Sequence, residues 1–147
     1  MNKLDALIRD LKKGNDPEQR AYNFNQLGMI LGQLGDDRCI ECFENACRLT
    51  DSAGAKMRIL GRIGDAYLLI RQDHDRAVKF YEASITVGDR ADYNPLHVWE
   101  ARFRLDALEE DRRGENREFE EMRGEIILNS DLSASLVGNL EIPSLRL

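Results

Sequence analysis

Apolar residues recur along this chain at helical spacing, and the polar and glycine-containing breaks between them fall at regular intervals. Leu4, Leu7, Ile8 and Leu11 form one face of a short amphipathic helix over about 2–13. Gly14-Asn15-Asp16-Pro17 ends it, and Asp16 can cap the next helix with Pro17 at a position where its missing N–H is not needed. That helix, about 17–34, carries Ala21, Phe24, Leu27, Gly28, Leu31 and Leu34 on one side. Gly35-Asp36-Asp37 turns the chain into a helix over about 37–50, and Asp51 or Ser52 is placed to cap its successor. The helix predicted over about 54–71 presents Met57, Leu60, Ile63, Gly64, Tyr67 and Leu68. The next, about 75–87, presents Ala77, Phe80, Tyr81, Ser84 and Ile85, with Gly88-Asp89 expected to close it. Asn94-Pro95 signals a helix over about 95–112 carrying Val98, Trp99, Ala101, Leu105 and Leu108. Beyond Gly114, a last helix over about 115–129 is expected to bury Phe119, Met122, Ile126 and Ile127. No period-two alternation is sustained before residue 130, so no strand is predicted there.

The helices also repeat. Phe43, Tyr81 and Phe119 are spaced by 38 residues, and Leu27-Gly28 and Ile63-Gly64 by 36. Recurrence at such a period signals stacked units, each burying a face that it could not bury alone. The expected fold is all-α: one leading helix and about three antiparallel hairpins in an α-α superhelix. Ser130 to Leu147 reads differently, with Leu132, Leu136, Val137, Leu140, Ile142, Leu145 and Leu147 set among Ser, Gly and Asn, and with Pro143. That is too apolar for a solvated tail. The expected organisation is therefore a helical domain over 1–130 and an apolar tail over 131–147 that docks. The tail either covers the end of its own array, lies in the groove, or joins a second copy.

Leu27-Gly28-x-x-Leu31 and Ile63-Gly64-x-x-Tyr67, followed on the next helix by Cys39/Phe43/Ala46 and Ala77/Tyr81/Ser84, resemble tetratricopeptide repeats (TPR). A small residue is needed where two helices cross closely, and the ring is expected to fill the gap between hairpins. The resemblance covers about 20–88 well and 95–129 weakly, the third unit having Glu115 at the small position and Ala101 or Ala107 in place of the Gly. The spacing exceeds the usual repeat of about 34 residues and is similar to longer-helix variants of polarity scaffolds and vesicle-fusion adaptors. The third unit has the degraded form expected of a cap.

Charge narrows the partners. A net charge of −6 argues against a nucleic-acid or anionic-membrane surface, either of which needs a basic stripe. No apolar run approaches the roughly 20 residues that span a bilayer, and Met1 to Asp5 lack the apolar core of a secretory signal. The expected compartment is the cytoplasm.

Candidate chemistry reduces to packing. Cys39 and Cys42 have CxxC spacing with Cys47 nearby, but Cys39 falls on the small-residue position of the repeat and Cys47 matches the apolar Ile85. Buried structural thiols are the expectation. His74 lies in a polar turn and His97 at a helix start, too far apart in sequence to complete a zinc set. No Gly-rich phosphate loop and no calcium-loop spacing occur, and Glu109-Glu110-Asp111 with Arg112-Arg113 reads as a solvated helix end. No enzyme, cofactor or metal site is expected.

What the resemblance implies is a concave groove lined by the first helix of each hairpin. Its positions fall on Tyr22, Asn25, Met29 and Gln33, then on Arg58, Arg62, Asp65 and Leu69, and last on Val98 and Arg102, with Arg104 beside them. Asn25, Arg58, Arg62 and Arg102 would make a polar, locally positive surface suited to an acidic peptide. Of the two-carboxylate clamp used by chaperone-binding members only Asn25 matches, and Gly61 stands where a second Asn belongs. Trp99 is expected in the core between hairpins rather than as an anchor. The expected function is a non-catalytic protein–protein interaction adaptor or scaffold binding a peptide or helix. The alternative is a self-assembling structural subunit, a homo-oligomer latched by its tail.

Overall fold

A computed structural model describes residues 3–13, 16–90, 95–126 and 140–143. They are all-α: α1 (Lys3–Lys12), α2 (Pro17–Gln33), α3 (Cys39–Leu49), α4 (Ala53–Leu69), α5 (His74–Arg90) and α6 (Pro95–Arg112), followed by α7 over 117–126. Among the described residues there is no strand, and no helix is long and apolar enough to cross a membrane. The chain divides into two compact units. One takes the described residues of 1–51 with those from 126 onward, and the other takes 52–125.

The helix starts follow the local chemistry read from the sequence. Asp16 Oδ2 accepts from the Gln19 amide at 3.3 Å with Pro17 beside it, and Ser52 Oγ accepts from the Ala55 amide at 3.2 Å. Each satisfies an amide that the first helical turn leaves without a carbonyl. Asp73 does the same for Arg76 at 3.1 Å. The last helix begins two residues later than the pattern suggested. Gly114 turns at φ +71°, and Asn116 Oδ1 caps the Phe119 amide at 3.1 Å. Ile127, expected in the core, lies outside the described residues.

In the first unit α2 packs on α3, with α1 laid against α2 through the buried Leu7 and Leu11. Phe24, Leu27, Leu31, Cys39, Phe43 and Ala46 form the core. Glu18 fastens one end of this hairpin, accepting from the Thr50 hydroxyl at 2.8 Å and the Asp51 amide at 2.7 Å. Arg38 forks onto Asp36 at 2.6 Å and also donates through Nη1 to the Leu140 carbonyl at 2.5 Å, holding residues 140–143 against their own unit.

In the second unit α4 packs on α5 and α5 on α6. Met57, Ile59, Ile63, Tyr67, Leu68, Ala77 and Tyr81 are buried, and Phe80 stacks on Tyr67 with ring centroids 5.4 Å apart. The recurring ring and glycine meet here as in the first unit. A Cβ on Gly28 would stand 2.7 Å from Phe43 Cε1, and one on Gly64 2.7 Å from Tyr81 Cε1. Each ring therefore rests on the glycine of its own hairpin. Gly88 does not close α5. The helix runs on to Arg90, and the glycine supplies a bare Cα where Val98 and Met57 press on it.

Candidate functional site

The α6 sequence distributes its apolar residues over two stripes rather than one. Val98, Ala101 and Leu108 follow helical spacing and are buried, and Leu105 between them is half-buried. Trp99 sits one position off that stripe, about 100° around the helix, and shares its face with Phe103 one turn later. The core expectation for Trp99 therefore fails. It is 71% exposed and Phe103 is 62% exposed.

Both rings border a cavity of about 590 Å³ within the second unit. Helix α4 lines it with Arg58, Gly61, Arg62 and Asp65, α6 with Trp99, Glu100, Phe103 and Arg104, and α7 adds Glu118. Two buried α5 side chains, Tyr81 and Ser84, form the floor. Their polar atoms are occupied: Tyr81 donates to Asp65 Oδ1 at 2.5 Å, and Ser84 donates to the Met57 carbonyl at 2.7 Å. Arg104 faces Asp65 at 3.4 Å and lies 5.5 Å over the Phe119 ring. One side chain thus ties α4, α6 and α7 together at the base of the cavity.

Burial pushes the Asp65 carboxyl above its ordinary range despite the Arg104 charge and the Tyr81 hydroxyl. Burial, followed by the Arg58 charge one turn away, lowers the Arg62 guanidinium. The Asp65 and Glu100 carboxylates oppose that lowering. The cavity is nevertheless not simply positive. Arg58, Arg62 and Arg104 face Asp65, Glu100 and Glu118, so the positive character is local to α4.

The expected groove positions distribute unequally. Arg58, Arg62 and Asp65 line the cavity together, while Leu69 is half-buried outside the lining. Val98 is buried against Gly88, and Arg102 points to an ion pair with Asp89 at 3.1 Å. On α2, in the other unit, Tyr22 is 58% exposed, Asn25 and Met29 are half-buried with Asn25 Nδ2 and Met29 Sδ 3.9 Å apart, and Gln33 is exposed. The residues that the sequence reading left out are Phe103, Glu100 and Glu118. Spacing of Trp99 and Phe103 by one turn was the available signal.

A second set of polar groups in this unit is buried in the packing. Asp111 belongs to no solvated end: its side chain is 1% exposed. It accepts from Arg123 at 2.5 and 2.6 Å and pairs with His74 Nε2 at 2.7 Å, while Arg123 also donates to the Leu68 carbonyl at 2.8 Å. Burial would raise the Asp111 carboxyl, but the hydrogen bonds from Arg123 and His74 outweigh it and hold the group below its ordinary value. Cys39 and Cys42 are buried as expected. Burial and the nearby acids push the Cys39 thiol up to about 12, and burial together with Cys39 raises Cys42 as well, so both stay protonated at neutral pH.

No protein-family model, curated protein or solved structure matches the chain.

Proposed function

We propose that the chain is a non-catalytic, TPR-like interaction adaptor or scaffold working in the cytoplasm, taking a peptide or helix of another protein into the α4–α6 cavity. The observation that carries this reading is the pair Trp99 and Phe103, held exposed at the edge of a cavity whose α4 wall carries Arg58 and Arg62. Large rings left in water lose the burial that they would gain in a core, and adjacent aromatic and arginine side chains are the usual energetic centre of a protein interface. An acidic segment with an apolar face would cover the rings and meet the two arginines at once.

The test is affinity capture followed by mass spectrometry with the wild type, with Arg58→Glu/Arg62→Glu and with Trp99→Ala/Phe103→Ala. Thermal melts run in parallel identify any variant that has lost its fold. A partner retained by the wild type and lost by both folded variants is the expected result. A partner held equally by all three would overturn the cavity assignment.

A further inference from the structure

Glycine in a helix interior weakens the helix relative to alanine, so each such position calls for a reason. At Gly28, Gly64 and Gly88 the reason is contact, since a Cβ would run into Phe43, Tyr81 or the Val98–Met57 pair. Gly32 stands in the last turn of its helix, where the penalty is smaller, and Gly124 is exposed on α7 and is not among the cavity-lining residues. Gly61 has neither excuse. It lies in the middle of α4, and among the described residues a Cβ built there would find only Ser84 Oγ, at an ordinary 3.8 Å. The space that the missing methyl leaves open belongs to the cavity.

We infer that Gly61 is the seat for an apolar side chain of the partner, one carried on an acidic helical segment and clamped between Trp99 and Phe103 on α6 and the Arg58–Arg62 wall of α4. Four features set the chemistry. The bare α4 backbone admits a branched or ring side chain close to the helix axis, and the floor beneath offers no free polar group, because the Ser84 and Tyr81 hydroxyls are already bonded. Arg58 and Arg62 stand one turn apart on the same helix, beside Gly61, so carboxylates on the partner segment next to the seated residue would meet them. The exposed rings of α6 would cover the remaining apolar surface. This inference rests on the adaptor reading and names the partner's anchoring residue.

The test uses a capped, alanine-based helical peptide carrying one leucine with a glutamate one turn to each side. Controls replace the leucine by alanine or both glutamates by lysine. Trp99 is the only tryptophan, so its emission reports occupancy directly. The leucine–glutamate peptide should blue-shift that emission, with each control at least about tenfold weaker, the discrimination expected when an apolar pocket loses its filling group. Gly61→Ala should weaken the same peptide by about tenfold or more while its melting temperature stays at or above that of the wild type, because the methyl occupies the seat and not a packed contact.

A lowered melting temperature with unchanged peptide affinity would make Gly61 a packing glycine and overturn the inference. So would a panel in which no peptide binds, or in which Gly61→Ala binds as the wild type does. If the captured partner is still lost on charge reversal at Arg58 and Arg62 in those cases, the adaptor reading survives and only the anchor assignment fails.

Discussion

At the residue scale, the two glycines under the recurring rings and the thiols beside one of them make opposite demands on space. Gly64→Ala places a methyl 2.7 Å from a ring locked in the α4–α5 hairpin, and Gly28→Ala does so against Phe43. Overpacking of this kind costs about 1–3 kcal/mol, only partly offset by alanine's better helix propensity. Denaturant titration should therefore show a lower midpoint for both variants, and an unchanged midpoint would mean that the rings can step aside. Cys39 and Cys42 are sealed in the same packing. A thiol-labelling reagent should modify the half-buried Cys47 first, reaching Cys39 and Cys42 only as the protein unfolds. Equal labelling of all three in the native state would contradict their burial. The small-residue positions were legible from spacing because close helix crossings admit few residue types. The seating of each ring inside its own hairpin was not legible, since spacing alone does not say which neighbour a ring faces.

At the scale of elements, the second unit is held at one end by the Asp111 cluster, which joins the start of α5, the end of α6 and α7. Removing the charge while keeping the shape, Asp111→Asn, should cost roughly 1.5–3 kcal/mol at neutral pH, the range for hydrogen bonds to a charged group. The pH dependence has a definite sign. The folded-state carboxyl is held below its ordinary value, so its stabilisation is fully present above the ordinary carboxylate range. It is lost as the pH falls through the lower, folded value. Unfolding free energy measured from neutral to acid pH should fall more steeply in the wild type than in Asp111→Asn, and parallel curves would remove Asp111 from this role. The sequence placed Asp111 among charged neighbours at a helix end, and nothing local distinguished it from Glu109 or Glu110. Only the arrival of Arg123 and His74 from other helices decided that it is buried.

At the scale of the molecule, the described part of the tail, residues 140–143, is tied down. The Arg38 guanidinium holds the Leu140 carbonyl within the same unit, and the rest of the expected docking tail, 131–139 and 144–147, lies outside the described residues. Arg38→Ala should speed cleavage at residues 140–143 by a broad-specificity protease severalfold relative to cuts elsewhere. An unchanged rate would mean that other contacts secure the tail. Under the adaptor reading, light scattering should return a monomer both for the full chain and for a form ending at Ser130. A mass that rises with concentration only in the full chain would instead favour self-assembly through the tail.

Local pattern was enough for the all-α class, for the bounds of α1 to α6 and the start of α7 to within a few residues, and for the glycine–ring marks of two hairpins. These depend on short-range terms: periodicity, caps, turn glycines and the volume available at a helix crossing. It also carried Arg58, Arg62 and Asp65, which lie within two turns of one helix face. Tertiary structure alone decided that Val98 is buried while Trp99 is not, that Arg102 turns to Asp89, and that Arg104 joins Asp65 at the base of the cavity. Each of those outcomes depends on which side of α6 packs on α5. When a helix bears two apolar stripes, its own sequence does not rank them, and only the shape of the neighbouring surface does.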